Sequence, residues 1–278
     1  MGDTCTRLGA RVTLGLAVAA FAAPSLQGQG PSEPRGGPSW ALRGLRSGQC
    51  VRFLIAPGAA AQQVRGGFRP IRADQAQTLH PAIRSVIEGQ PEFGSWTPSS
   101  LCFFYLDSVS LGGRTIVAKK GARPQMIGVW TLAASEQGNG SQRYLVLDLT
   151  AGSAQVVRAA EAGKLRVREA ASRTSLMPDG SQEVHEVSVG KTRLVWTGRA
   201  VGDSTRVEQP IEESWLVKGA SGTSWNVRFK LAPNWTRPLV GVLSVEGKDD
   251  LAKNLKASPI RFVGPRYLGG SADLIFSR

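Results

Sequence analysis

Two lysines stand side by side at Lys119 and Lys120. A lysine desolvated beside a second cation loses affinity for its proton, and the free amine attacks carbonyl carbon to form a Schiff base. Without that chemistry the pair is simply two charges on a solvated hairpin turn. Other chemistries lack their parts. His80 and His185 are the only imidazoles, so a zinc site with three or four nitrogen or sulfur ligands is not expected, and no metal or cofactor is assigned. His185-Glu186 is not a metalloprotease motif, because Val189 stands where the second histidine belongs. Both histidines read as structural, His80 at a helix start and His185 on a strand surface. Ser188 to Lys191 matches S-x-x-K but falls at a strand and turn, with neither SDN nor KTG beside it. Gly190-Lys191-Thr192 lacks the upstream glycine of a phosphate loop, its place being held by His185.

The stretch Arg114 to Pro124 (RTIVAKKGARP) follows Val64 to Pro70 (VRGGFRP) and a strand at Leu101. These segments resemble the acetoacetate decarboxylase family, which forms a Schiff base on one of two adjacent lysines. The resemblance implies a lysine-dependent lyase with Lys119 or Lys120 as nucleophile. It covers a small part of the chain, its acidic partner is not identifiable upstream, and a secretion signal is unexpected for such an enzyme. It therefore stands as an alternative and is not adopted.

Arg7 and Arg11 precede an uncharged run from Val12 to Ala23 (VTLGLAVAAFAA) that Pro24 breaks. This is the layout of a secretory signal peptide, 1–28, with cleavage expected after Ala22 or Gly28. The run is too short to span a bilayer, and the mature chain reads as a soluble secreted or periplasmic protein. Cleavage removes Cys5 and leaves Cys50 and Cys102, which in an oxidising compartment predict one disulfide.

Residues 29–48, rich in Gly, Pro and Ser, read as a flexible tether, with Trp40, Leu42 and Leu45 docking locally. Beyond it come short segments rich in Val, Ile, Phe and Trp, from Val51 to Ile55 through to Leu274 to Phe276. Many alternate with period two, as Val227, Phe229 and Leu231 do against Arg228 and Lys230. Helices are expected near 74–89, with Pro81 at the true start, over 153–162 and near 249–257. The fold class is α+β and β-dominated, antiparallel sheets with about three short helices. A recurrence of Lys-Gly-Ala at Lys120 to Ala122 and Lys218 to Ala220, each followed by strands and a strand-helix-strand passage, suggests two related β-rich units, 49–163 and 164–278.

Lys and Arg number 34 against 21 Asp and Glu, giving a net charge of +13, and the charges are scattered without a basic run. Such a balance favours an anionic polymer or envelope component as partner and gives no basis for specific nucleic-acid binding. The leading expectation is a non-catalytic binding or structural protein. A carrier holding an apolar ligand among the tryptophans Trp130, Trp196, Trp215, Trp225 and Trp235 is a further alternative.

Overall fold

A computed structural model describes residues 39–277 apart from 65, 118–123, 137–139, 141, 180, 219–223 and 233. The expected signal segment, the first half of the expected tether, and Lys119 and Lys120 lie outside the described residues. In chain order the elements begin with β1 (Ser39–Ile55), α1 (Pro57–Gln63), β2 (Phe68–Pro70) and α2 (Pro81–Gly89). Next come β3 (Thr97–Leu111), β4 (Arg114–Val117), β5 (Gln125–Glu136), β6 (Gln142–Ala151) and α3 (Ala154–Ala162). The chain continues with β7 (Arg168–Leu176), β8 (Glu183–Val189), β9 (Thr192–Ala200), β10 (Thr205–Val207), β11 (Ile211–Lys218) and β12 (Ser224–Leu231). It finishes with β13 (Asn234–Arg237), β14 (Leu239–Glu246), α4 (Asp250–Ala257), β15 (Arg261–Val263), β16 (Arg266–Leu268) and β17 (Ser271–Ser277).

Strand pairing closes a ring. β1 pairs with β3, β3 with β5 and β5 with β6, all antiparallel. β6 pairs with β11 in parallel, through Tyr144 opposite Trp215 and Val146 opposite Val217. β11 pairs with β12, β12 with β17, and β17 returns to β1, again antiparallel. Because side chains alternate along a strand, one residue in two faces the interior of this barrel. The inward rows are apolar: Leu42 on β1, Phe104 on β3, Val129 on β5, Leu149 on β6, Trp215 and Val217 on β11, Val227 and Phe229 on β12, and Leu274 on β17. Trp215 and Phe229 stack at 4.5 Å between ring centroids.

A smaller antiparallel sheet, β7-β8-β9-β14, lies outside the barrel. With α4 it covers the outward row of the wall, where Val51, Phe53, Leu101, Phe103 and Trp130 pack with Val187, Val189, Leu194, Leu251 and Leu255. Asp249 caps α4, its carboxylate accepting from Ala252 N at 3.0 Å. β1 turns along the barrel by a bulge at Arg46, between the pairs Leu45 to Leu106 and Ser47 to Tyr105. Gly44 beside it has φ +67°, and a Cβ there would collide with Asp107.

Several expectations need correction. Residues 39–48 are the first half of β1, with Trp40, Leu42 and Leu45 buried. Burying side chains of this size stabilises by roughly 1.5–3 kcal/mol each, which with two hydrogen-bonded neighbours offsets the ordering entropy of a Gly-rich segment. The described residues all fall in one compact unit. The two strand-helix-strand passages also occupy unlike places. β6 and β7 pair with each other in parallel, whereas β14 pairs with β9 and β15 with β1. The sheet is therefore mixed, not purely antiparallel. Four α-helices are described, α1 being additional, and the expected 74–89 helix is a 3-10 turn at Ala73–Gln75 followed by α2. Pro81 sets that start, with His80 as its N-cap.

Cys50 and Cys102 face each other across β1 and β3 and are joined by a disulfide. For a sequence separation of 52, the chain-entropy model gives a stabilisation of about 4 kcal/mol. Replacing both cysteines with alanine is expected to lower unfolding stability by up to that amount in urea titrations, while far-ultraviolet circular dichroism stays that of the parent. An unchanged midpoint would show that the cross-link contributes nothing.

Candidate functional site

One end of the barrel is closed by the Thr78–Ile83 stretch leading into α2 and encloses a cavity of about 90 Å³. Its wall comes from the inward rows: Cys50 and Arg52 on β1, Ser100, Cys102 and Phe104 on β3, Val129 and Thr131 on β5, and Tyr144 on β6. Ile211, Glu213 and Trp215 on β11, Phe229 and Leu231 on β12, and Tyr267 complete it. Leu79 and Ile83 above it pack into a small cluster with Leu54 and Ala73. Polar contacts tie this covering stretch to the barrel. Gln77 N donates to Gln142 Oε1 at 2.8 Å, and Thr78 Oγ1 lies 3.3 Å from the Tyr144 hydroxyl.

Glu213 is the chemically distinctive member. It occupies the inward row Ile211-Glu213-Trp215-Val217, where every neighbour is apolar. Burial raises its pKa, because a low-dielectric surround disfavours the charged form; the Trp215 Nε1–H bond at 2.8 Å and the Arg52 charge oppose that rise. His80 is held below the usual histidine range by burial and then by the Arg52 charge, so it stays a neutral cap whose Nδ1 accepts from Ala82 N at 3.2 Å. Arg52 brings the site its positive charge. Its Nη1 is buried without a hydrogen-bond partner among the described residues. Gly264 leaves it room, since a Cβ there would stand 2.8 Å from Nη1. On the far wall, Ser100 Oγ and Thr131 Oγ1 are 2.9 Å apart, and Ser99 Oγ accepts from Trp130 Nε1 at 3.0 Å while donating to Thr131 O at 2.6 Å.

No protein-family model matches this chain, and no curated protein matches it. Among solved structures it is similar to the enduracididine biosynthesis enzyme MppR complexed with pyruvate, at 13% identity and a TM-score of 0.47, covering 91% of this chain and 94% of that one. It is also similar to an acetoacetate decarboxylase-like enzyme from Sphingomonas wittichii RW1, at 11% identity and a TM-score of 0.45, covering 93% and 96% respectively. Acetoacetate decarboxylase from Legionella pneumophila gives 10% identity and a TM-score of 0.44, covering 96% and 95%. Those solved structures are named as enzymes, against the expectation here of a non-catalytic binding or structural protein. At such identities the chemistry of this chain is read from its own side chains.

Lys119 and Lys120 lie outside the described residues, and among the described residues the lining of the barrel mouth contains no lysine. Cys50 and Cys102 are part of that lining. The tryptophans do not gather round one cavity. Trp215 lines the mouth, Trp130, Trp196 and Trp225 are buried at separate points, and Trp235 is exposed. His185 is not a strand surface residue. It is wedged between β8 and the barrel, its Nδ1 lying 3.1 Å from Gln49 Oε1 and its Nε2 against the Tyr105 hydroxyl. Among the described residues no group of three or more His, Cys, Asp or Glu could hold a metal ion. Glu213 and Arg52 escaped the sequence reading, although a signal existed in the lone charges at period two with Trp215 and Val217, and with Cys50 and Leu54.

The raised pKa of Glu213 carries a stability consequence. Between the ordinary carboxyl range and its own higher value, the native state binds more protons than the unfolded chain. The stability from the protonated carboxyl is complete below the ordinary range and is lost as pH rises through the raised value. Glu213→Gln, neutral at every pH, is expected to melt above the parent at neutral pH, the difference vanishing in acid. Equal midpoints at both pH values would show that the carboxyl is solvated.

Proposed function

We propose that the barrel mouth is the active site of an enzyme acting on a small oxo acid, with Glu213 as proton donor and Arg52 as the anchor for the substrate carboxylate. The observation that carries this reading is the unpartnered, buried Nη1 of Arg52 at a pocket that also holds a carboxyl of raised pKa. A buried donor without a partner costs on the order of 1–3 kcal/mol, and an anionic ligand that draws the guanidinium into a charge-assisted bond would recover it. The cavity of about 90 Å³ holds several times the roughly 10–15 Å³ that one water needs, which suits a small molecule.

A carboxyl that burial inclines towards its protonated form supports lyase chemistry on such a molecule. When a 3-oxo acid loses carbon dioxide, the electron pair of the breaking carbon–carbon bond forms the carbon–carbon double bond of an enolate, and the carbonyl π pair moves to the oxo oxygen. Glu213 would supply a proton to that oxygen as charge develops. The covalent form of this reading, with a Schiff base on Lys119 or Lys120, draws on residues outside the described ones. Export completes the proposal, with a signal peptide over 1–28 cleaved after Ala22 or Gly28. The Cys50–Cys102 disulfide supports an oxidising destination.

Acetoacetate and oxaloacetate are suitable probes. The parent is expected to release carbon dioxide from at least one, Glu213→Gln to lose about 10²–10⁴-fold in kcat, as for removal of a general acid, and Arg52→Lys to raise KM. Absence of both turnover and saturable binding across small oxo acids would overturn the reading. Borohydride added during turnover tests the covalent form separately: a mass increase mapping to Lys119 or Lys120 supports it, and no increase removes it. N-terminal sequencing of protein recovered outside the cytoplasm is expected to begin at residue 23 or 29, and a retained Met1 would exclude cleavage.

A further inference from the structure

We infer that the outside of the barrel carries a second ligand site, separate from the barrel mouth, that takes a small multivalent oxyanion such as a phosphorylated or polycarboxylate molecule. The site is a groove of about 880 Å³ where β7 and β8 meet the bulged part of β1, within the size range of small-molecule clefts. Arg46, Arg173 and Arg266 line it, together with the hydroxyl groups of Ser47, Ser172 and Thr174. Ser172 and Thr174 are two apart on β7 and so share one face of the strand.

The charges in the lining do not cancel. Glu183 is its one carboxylate among the described residues. That carboxylate is occupied by Arg266, whose Nη1 donates to Oε1 at 3.2 Å and whose Nη2 pairs with Oε2. The Arg266 hydrogen bond holds the pKa of Glu183 below the ordinary carboxylate range, so the pair persists. Arg46 meets Asp107, but that pair is half exposed and screened. Arg173, between Ser172 and Thr174 in sequence and so on the other face of β7, stands opposite the Glu186 carboxylate and adds its charge only at the edge of the groove. The floor adds no negative charge: burial pushes the Tyr105 hydroxyl up to about 12, leaving it a neutral donor to His185 Nε2. His185 is pushed down to about 4 by burial and then by the Arg266 charge, so it is a neutral imidazole whose Nδ1–H donates to Gln49.

The groove therefore presents guanidinium forks and hydroxyl donors, with its only carboxylate already paired. That set matches the several acceptor oxygens of a multivalent anion, which guanidinium groups bind in bidentate fashion. This inference does not depend on the reading of the barrel mouth.

Calorimetric titration of the purified protein with tripolyphosphate and, separately, with citrate tests it, using Arg46→Ala in the groove and Arg158→Ala on α3 as a charge-matched control. The expected result is one molar equivalent bound, weakened at least tenfold by Arg46→Ala and unchanged by Arg158→Ala. Tripolyphosphate alone binding would specify phosphate, and citrate alone a polycarboxylate. In nuclear magnetic resonance titrations the His185 imidazole is expected to protonate at higher pH with the anion present, because bound negative charge opposes the field of Arg266. Absence of saturable binding at low salt, or equal weakening by both substitutions, would overturn the inference and leave only diffuse attraction to a basic protein.

Discussion

The ring closes because β1 pairs along both of its edges. On one side it runs the length of β3, and on the other it meets β17, β16 and β15 in turn. A strand that must serve neighbours diverging along its length cannot stay straight, and the bulge at Arg46 beside Gly44 supplies the bend. The parallel contact of β6 with β11 closes the opposite side, joining parts of the chain remote in sequence. Both candidate sites follow from this arrangement. The barrel mouth lies between inward rows that only closure brings together, and the outer groove opens where the bulge turns Arg46 and Ser47 towards β7 and β8.

Much of the local structure was legible in the residues. The alternation of Val227, Phe229 and Leu231 against charged neighbours placed β12 with its apolar side inward, and Pro81 marked the start of α2. Asp249 marked α4 through the same preference for an acceptor at a helix start. The first half of β1 was not legible, because a composition rich in Gly and Pro outweighs three apolar residues in any local reading. Trp40, Leu42 and Leu45 are fixed by β3 and β17, which lie far along the chain. α1 was hidden for a related reason, since Pro57–Gln63 is short, Ala-rich and without an amphipathic stripe.

The site was less legible than the fold. Attention to residue types picked out adjacent lysines, a motif visible in sequence alone, whereas the polar residues at the barrel mouth come from strands scattered between Cys50 and Tyr267. A carboxylate on an inward row reads locally as one polar residue in a strand, and only closure shows that the row faces a cavity. His185 was misread in the same way, its neighbours Tyr105 and Gln49 arriving from β3 and β1.

The cross-link between β1 and β3 has a bearing on when the barrel mouth acquires its final surface. Its two cysteines form part of the cavity wall, with Arg52 on the same inward row as Cys50. A newly made, reduced chain would present two thiol groups there. Oxidation replaces these nucleophiles with an uncharged sulfur–sulfur bridge. Maturation of the wall is thus a change in reactivity as well as in stability, and it ties the chemical character of the pocket to the redox history of the chain.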